Sequence, residues 1–197
     1  MNKIKLIAII GKSASGKDTL FKSVMKNNPN LNPIIHYTSR PRRPGETDGE
    51  EYFFKTKKEF IESMDKGEFF PVTIFNDWLY GIDVNSFNHN KINIGIFNAK
   101  EIKHLVNCYS SRFEIYVVET VAEDIVRYQR SLRRLETKPF DLEGLSEMCR
   151  RYKADEEDFE EIAHIKRYKL YTDNFISSSE ENTSFVSGLV YGLGYLD

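Results

Sequence analysis

Apolar residues run almost without interruption from Ile4 to Ile10. A run without polar alternation predicts a central strand over residues 3–10, of the kind found in a parallel sheet covered on both faces. Residues 18–27 place Leu20, Phe21 and Met25 on one side of a predicted helix. Pro29 and Pro33, each preceded by asparagine, mark turns, and 34–37 predicts a short second strand. Residues 38–49 contain Pro41, Pro44, Gly45 and Gly49 and predict a loop. A strand returns over 50–54. Thr56, followed three residues later by Glu59, has the pattern of a capping box. It predicts a helix carrying Phe60, Ile61 and Met64, stopped at Gly67. Residues 69–75 are apolar and aromatic but include Pro71, which predicts an edge strand because proline cannot donate to a ladder. A turn or strand end presenting aromatics is predicted at 77–81. Core strands are predicted over 92–97 and 113–118, with a helix over 99–106 between them. From Val121 the chain is predicted helical, with Glu123 and Asp124 early and Arg127, Arg130, Arg133 and Arg134 later, an order that suits the helix dipole. Residues 136–141, with Pro139, interrupt it. A helix over 142–162, a last strand over 168–172 and a closing helix over 183–193 follow.

Strands alternating with helices define an α/β class with a parallel sheet and right-handed crossovers. No repeat, low-complexity tract or linker divides the 197 residues, so one domain is expected. The hydrophobic fraction, 40%, is enough for a sizeable core. The formal net charge of −2 argues against nucleic-acid or membrane-surface binding by bulk charge. Basic residues are instead concentrated locally, at 40–43 and 127–134. Cys108 and Cys149 lack metal-ligand spacing and are too few for a disulfide framework, which fits thiols in a reducing compartment. No stretch approaches the roughly 20 apolar residues that span a bilayer, and no cleavage site follows the N-terminal apolar run. A cytoplasmic protein without nucleic-acid or membrane partners is the expectation.

The chemistry is concentrated in Gly11-Lys12-Ser13-Ala14-Ser15-Gly16-Lys17-Asp18-Thr19. A strand, a glycine-rich turn and a helix start are the context a phosphate-binding P-loop requires. Gly11 and Gly16 let consecutive N–H groups face inward, and the positive end of the following helix completes a nest for phosphate. Lys17 can lie across the loop and reach the β- and γ-phosphates of bound ATP. The candidate nucleotide-binding residues are therefore Gly11, Ser13, Ala14, Ser15, Gly16, Lys17, Asp18 and Thr19. Asp18 stands where a serine or threonine normally follows the lysine. A carboxylate is also a hard oxygen ligand, so Asp18 is the candidate for Mg²⁺. The plain alternative, a glycine turn with a surface lysine, does not account for the agreement of spacing, strand and helix.

A second motif narrows the class. Tyr37-Thr38-Ser39-Arg40-Pro41-Arg42-Arg43-Pro44-Gly45-Glu46, with Asp48-Gly49-Glu50-Glu51-Tyr52-Phe53-Phe54, resembles the nucleotide-monophosphate loop of the guanylate kinase family. That family reads T-T/S-R-x-x-R-x-G-E, then G-x-D/E-Y-x-F. The resemblance implies a P-loop NTPase-type parallel sheet flanked by helices, with a small lobe for the monophosphate and a helical lid. The implied boundaries are a core over about 1–34, 92–126 and 152–197, a monophosphate lobe over about 35–91 and a lid over about 127–151. It further implies ATP and Mg²⁺ as donor and cofactor, and phosphoryl transfer to a nucleoside monophosphate with no covalent enzyme intermediate.

Arg40, Arg43 and Tyr52 fall on the family positions that hold the acceptor phosphate, and Tyr80 on a second tyrosine that does so. Arginine forks suit this role because they bind phosphate oxygens bidentately. Arg130 and Arg134, spaced i, i+4 on one helix face, match lid arginines that clamp the transferred group, and Arg151 matches a third. Lys17 with these three forms the candidate catalytic set. Arg127, Arg133 and Arg150 are alternative registers, and a solvated charged face is the competing reading for any one of them. The segments around 55–80 and 136–141 are expected to close over substrates.

The departures lie at the base. The family reads guanine with two acids, and Pro71 and Phe97 stand at those positions. Ile82 and His36 replace hydroxyls, and His36 is kept as a candidate base contact. GMP is the acceptor the family implies; the departures open the alternative of another base. A catalytically inactive module of the same fold, binding phosphorylated partners through the arginine loop, is the competing class. A monomer or a small homo-oligomer is expected.

Overall fold

The structure, a computed structural model, describes residues 2–43, 45–75, 77–136, 142–173 and 177–194. In chain order the principal elements are β1 (Ile4–Ile10), α1 (Lys17–Asn27), β2 (Asn32–Ile34), β3 (Tyr37–Thr38), β4 (Phe53–Phe54), α2 (Lys57–Asp65), β5 (Phe69–Phe75) and β6 (Trp78–Asp83). They continue with β7 (Asn93–Ile96), α3 (Ala99–Tyr109), β8 (Phe113–Val121), α4 (Asp124–Glu136), α5 (Leu142–Glu161), β9 (Tyr168–Tyr171) and α6 (Ser177–Gly194).

Five strands form one parallel sheet in the order β2-β7-β1-β8-β9. β1 is its centre, pairing from Ile4 against Phe113 to Ile10 against Glu119 on one side and with β7 on the other. The absence of alternation in β1 has the expected consequence: side chains of both parities are buried. Leu6, Ala8 and Ile10 pack with Ile102 and Leu105 of α3 and Phe159 of α5. Ile7 and Ile9 pack with Leu20 and Val24 of α1 and Val186 and Leu193 of α6. Each large aliphatic chain so buried contributes roughly 1.5–3 kcal/mol, which makes β1 the anchor of both layers. Because all five strands run the same way, the loops after their carboxyl ends gather at one edge, where ligands bind in such sheets.

A second, four-stranded sheet has the order β4-β3-β6-β5. Phe60 of α2, Phe69 and Leu79 form its small core, with Tyr37 and Val72 against it. The capping box on α2 is present as predicted. Thr56 accepts from the Glu59 N–H at 3.2 Å, and the Glu59 carboxylate accepts from the Thr56 N–H at 2.8 Å. β5 is an edge strand, as Pro71 requires, and its pairing with β6 is irregular between Phe69 and Val72.

Four expectations need correction. The predicted strand over 34–37 is two strands in different sheets: β2 ends at Ile34 and β3 begins at Tyr37. Pro33 lies inside β2 rather than in a turn, and an edge strand tolerates the missing donor. Residues 78–81 belong to β6, leaving only Asp77, at φ 61, in a turn. β8 continues to Val121, so the helix begins at Asp124 rather than 121. Of the predicted interruption at 136–141, Glu136 still belongs to α4, and residues 137–141, with Pro139, lie outside the described residues, as do Pro44 and Asn76. Among the described residues no helix is long and apolar enough to cross a membrane.

Candidate functional site

The P-loop follows β1 directly. Gly16 sits at φ 97, a left-handed conformation that glycine adopts freely, and it starts α1. At Gly11 the need is space. A Cβ there would fall 2.3 Å from Thr120 Oγ1 and 2.4 Å from Ser15 Oγ. Ser15 is buried and hydrogen-bonds Thr120 at 2.7 Å, tying the loop to β8. Lys17 lies across the loop as predicted and donates to the carbonyls of Gly11 at 2.6 Å and Lys12 at 3.2 Å. Burial pushes its ammonium below the ordinary lysine range, an effect that Asp18 and Asp155 oppose. Asp18 and Thr19 are exposed in the first turn of α1.

One arginine that the sequence left among alternatives dominates the rear of the loop. Arg127 is 1% exposed. Its guanidinium donates to Ser13 O at 2.9 Å, Asp155 Oδ2 at 3.0 Å and Asp124 Oδ1 at 2.6 Å, and lies 4.5 Å from the Tyr152 ring centre. Asp155 also accepts from the Ser13 N–H at 2.6 Å. Lys12 pairs with Glu156. Thus α4 and α5 grip the loop by its backbone. Arg130 joins that grip: it donates to Ala14 O at 3.3 Å and to Thr172 O, and Thr172 in turn donates to Ser15 O at 2.8 Å. It is not among the residues facing the main cleft.

That cleft has a volume of about 1010 Å³. Lys17, Asp18, Arg134, Arg151, Arg40, Arg43, Tyr52, Tyr80 and His36 all line it. Gly11, Ser13 and Ala14 line it as well, so most of the predicted residues meet there; Ser15, Gly16, Thr19 and Arg130 do not line it. Arg40, 4% exposed, is fixed by Glu46 Oε1 at 2.7 Å and by Pro41 O at 2.8 Å, and lies 5.4 Å from the Tyr52 ring centre. Glu46 also accepts from the Arg43 N–H at 2.8 Å, which folds the loop back on itself. The Arg43 guanidinium is pushed down by burial and by the nearby charges of Arg151 and Arg40. Three cations crowded from two segments, the loop of Arg40 and Arg43 and the helix α5, mark a place for an anion. Arg151 is held by Glu147 Oε1 at 2.8 Å, and Glu147 holds Arg150 through its other oxygen at 2.7 Å. Burial, with Tyr80 and Glu101 adding, pushes the Tyr52 hydroxyl well above its ordinary value.

A model of the family described as guanylate kinase matches residues 3–129. The chain belongs to the guanylate kinase family. The guanylate kinase of Thermotoga maritima is 39% identical over 93 residues, 47% of this chain and 44% of that protein. That of Prochlorococcus marinus is 32% identical over 131 residues, 64% of this chain and 71% of that protein. The first match thus spans less than half of its relative's length. The crystal structure of guanylate kinase from Anaplasma phagocytophilum superposes with a TM-score of 0.66 at 15% identity, over 98% of this chain and 87% of that one, which shows a shared fold. As a guanylate kinase family member the chain carries the P-loop and arginine loop inside the matched segment, whereas Arg130, Arg134 and Arg151 lie beyond it.

Two acids escaped the sequence reading. Asp155 lies in an acidic run with nothing local to single it out. Glu101 does carry a signal: Asn98 three residues before it makes a second capping box, present at 2.8 and 2.9 Å. Of the four positions expected to face the base, His36 and Phe97 line the cleft, while Pro71 and Ile82 do not.

Proposed function

We propose that this chain transfers a phosphoryl group from ATP to a nucleoside monophosphate. One observation carries the reading: Lys17 of the P-loop and the Arg40, Arg43, Tyr52 and Tyr80 cluster line a single cleft of about 1010 Å³. The roles follow from chemistry. P-loop N–H groups and Lys17 hold the donor phosphates. Arg40 and Arg43 fix the acceptor phosphate, with Tyr52 and Tyr80 as hydroxyl donors. Arg134 and Arg151, which line the same cleft, neutralise charge that develops on the transferred group. No side chain is required as nucleophile, because positioning and charge neutralisation supply most of the catalysis. Arg130 acts through the P-loop backbone, which it holds from behind.

Mg²⁺, when bound, neutralises charge on the β- and γ-phosphates. The donor set fits it in a limited way. No cluster of three or more metal-binding side chains occurs among the described residues. Asp18 would hold the ion as a single carboxylate beside the phosphates, as is usual for a cation that keeps several waters. The Pro71 and Phe97 substitutions support an acceptor site that no longer reads guanine in the family manner.

The test is thermal denaturation with and without ATP–Mg²⁺, followed by an ADP-release assay over a panel of monophosphates. The expected result is stabilisation that Lys17→Ala abolishes, together with turnover of at least one monophosphate. Absence of both would favour a module that binds phosphorylated partners without catalysis.

A further inference from the structure

The base end of the cleft has lost the family's two acids, yet a carboxylate still stands there. Glu101 is 2% exposed and lines the cleft from the first turn of α3. Its Oε2 accepts from the Asn98 N–H at 2.9 Å and lies 3.3 Å from His36 Nε2. That contact is close enough for an ion pair but lacks hydrogen-bond alignment, so the buried His36 Nε2 has no hydrogen-bond partner among the described residues. The imidazole is edge-on to Phe97 at 5.2 Å, which fixes its plane against the wall. Thr73 lines the same cleft, and its buried hydroxyl also lacks a hydrogen-bond partner among the described residues. Glu101 is close enough to Tyr52 to raise that hydroxyl's proton affinity, so the carboxylate and the acceptor-phosphate residues share one chamber. A buried carboxylate, an imidazole and a hydroxyl with bonding capacity left over, in the wall of a ligand cleft, call for a polar ligand edge.

Resting on the proposed phosphotransferase reading, we infer that Glu101, set in place by its capping box and by His36, reads the acceptor base. A carboxylate accepts hydrogen bonds and cannot donate them. It selects a base that presents an exocyclic amino group, as guanine, adenine and cytosine do, over uracil and thymine. In the latter two the single ring N–H is flanked by carbonyl oxygens, which the second carboxylate oxygen repels. The reader has thus moved from the positions of Pro71 and Phe97 to α3, where the helix N-terminus also favours an anion.

The experiment measures affinity and turnover for GMP, AMP, CMP, UMP and dTMP with wild type and Glu101→Gln, binding being read by thermal shift and calorimetry without ATP. Glutamine serves in a capping box, so the helix start is kept. The expected outcome is a preference of at least about 100-fold for one of the amino-bearing monophosphates over UMP and dTMP. Glu101→Gln should erase at least about 10-fold of that ratio while leaving the ATP dissociation constant within about twofold. Asn98→Ala, which weakens the same cap and keeps the carboxylate, should leave the ratio unchanged. Equal affinity for all five, a preference for UMP or dTMP, or an unaltered ratio in Glu101→Gln would overturn the inference. Selective binding without turnover would uphold it while removing the catalytic reading; turnover without selectivity would do the reverse.

Discussion

Replacing Arg127 with methionine isolates what holds the P-loop in place, since methionine keeps most of the apolar stem and deletes the charge. Three terms set the magnitude. Arg127 is 1% exposed and its partner Asp155 19%, so this pair is effectively internal. Removing one member of a buried pair costs roughly 3–5 kcal/mol because the other is left uncompensated. Residual solvent at Asp155 places this case at about 3 kcal/mol. Asp124 and Glu156 are 64% and 57% exposed and together add at most about 1 kcal/mol. The stack on Tyr152 adds up to about 1 kcal/mol. Taken without full additivity, the loss is about 3–4 kcal/mol. For a chain of this size that lowers Tm by roughly 6–16 °C. Calorimetric unfolding of wild type, Arg127→Met, Asp155→Asn and the double variant measures the loss and the coupling. Arg127→Lys should recover little, because one ammonium cannot reach Ser13 O, Asp155 and Asp124 in the geometry of a planar fork. A Tm drop under about 3 °C for Arg127→Met, or full recovery with lysine, would refute the reasoning.

Gly11→Ala would drive a Cβ to 2.7 Å from the Thr120 carbonyl oxygen as well as into two hydroxyls, so the loop must shift. ATP-dependent thermal stabilisation should fall by at least about half, and unchanged stabilisation would show the loop to be more yielding than its packing implies. Hydrogen bonds from Arg150 and then Arg151, opposed by burial, hold the Glu147 carboxyl down at about 2. A depressed carboxyl contributes stability above its unfolded value, near 4.5, that is lost as pH falls towards about 2. Solvent reaches 27% of the Glu147 side chain, so screening limits the contribution to about 1 kcal/mol. Acid titration of Tm should therefore show a drop between pH 4.5 and 2 in wild type that is smaller by this amount in Glu147→Gln; superimposable acid limbs would remove the pair from the account.

The cleft was only partly legible because its lining residues come from several segments. Arg40, Arg43 and Tyr52 belong to one contiguous motif, and their convergence on the cleft follows from the loop. Tyr80 required the pairing of β6 beside β3, which sets it opposite Thr38. Arg130 shows where spacing misleads. The i, i+4 relation with Arg134 puts both on one helix face, but the long Arg130 side chain, midway along α4, reaches the Ala14 carbonyl and Thr172, while Arg134, a turn later, lines the cleft. Asp155 and Arg127 lie 28 residues apart on different helices, and nothing in either local pattern names the other.

By itself the sequence determined what neighbouring residues decide. The unbroken apolar run made β1 a two-sided core strand. Glycine spacing made the P-loop. Thr56 with Glu59 started α2, and Pro71 confined β5 to an edge. Each is a matter of backbone conformation, capping or side-chain parity within a few residues. Only the tertiary structure decided the rest. It split residues 32–38 between two sheets, because Ile34 is drawn into the core beside β7 while Tyr37 packs on Phe53 and Phe69. It buried Arg127 behind the P-loop. It brought Glu101, whose evident local role is to cap a helix, against His36 in the wall of the cleft. These placements depend on how helices seat on a twisted sheet, a balance of contacts between segments far apart in the chain, and no local pattern carries that information.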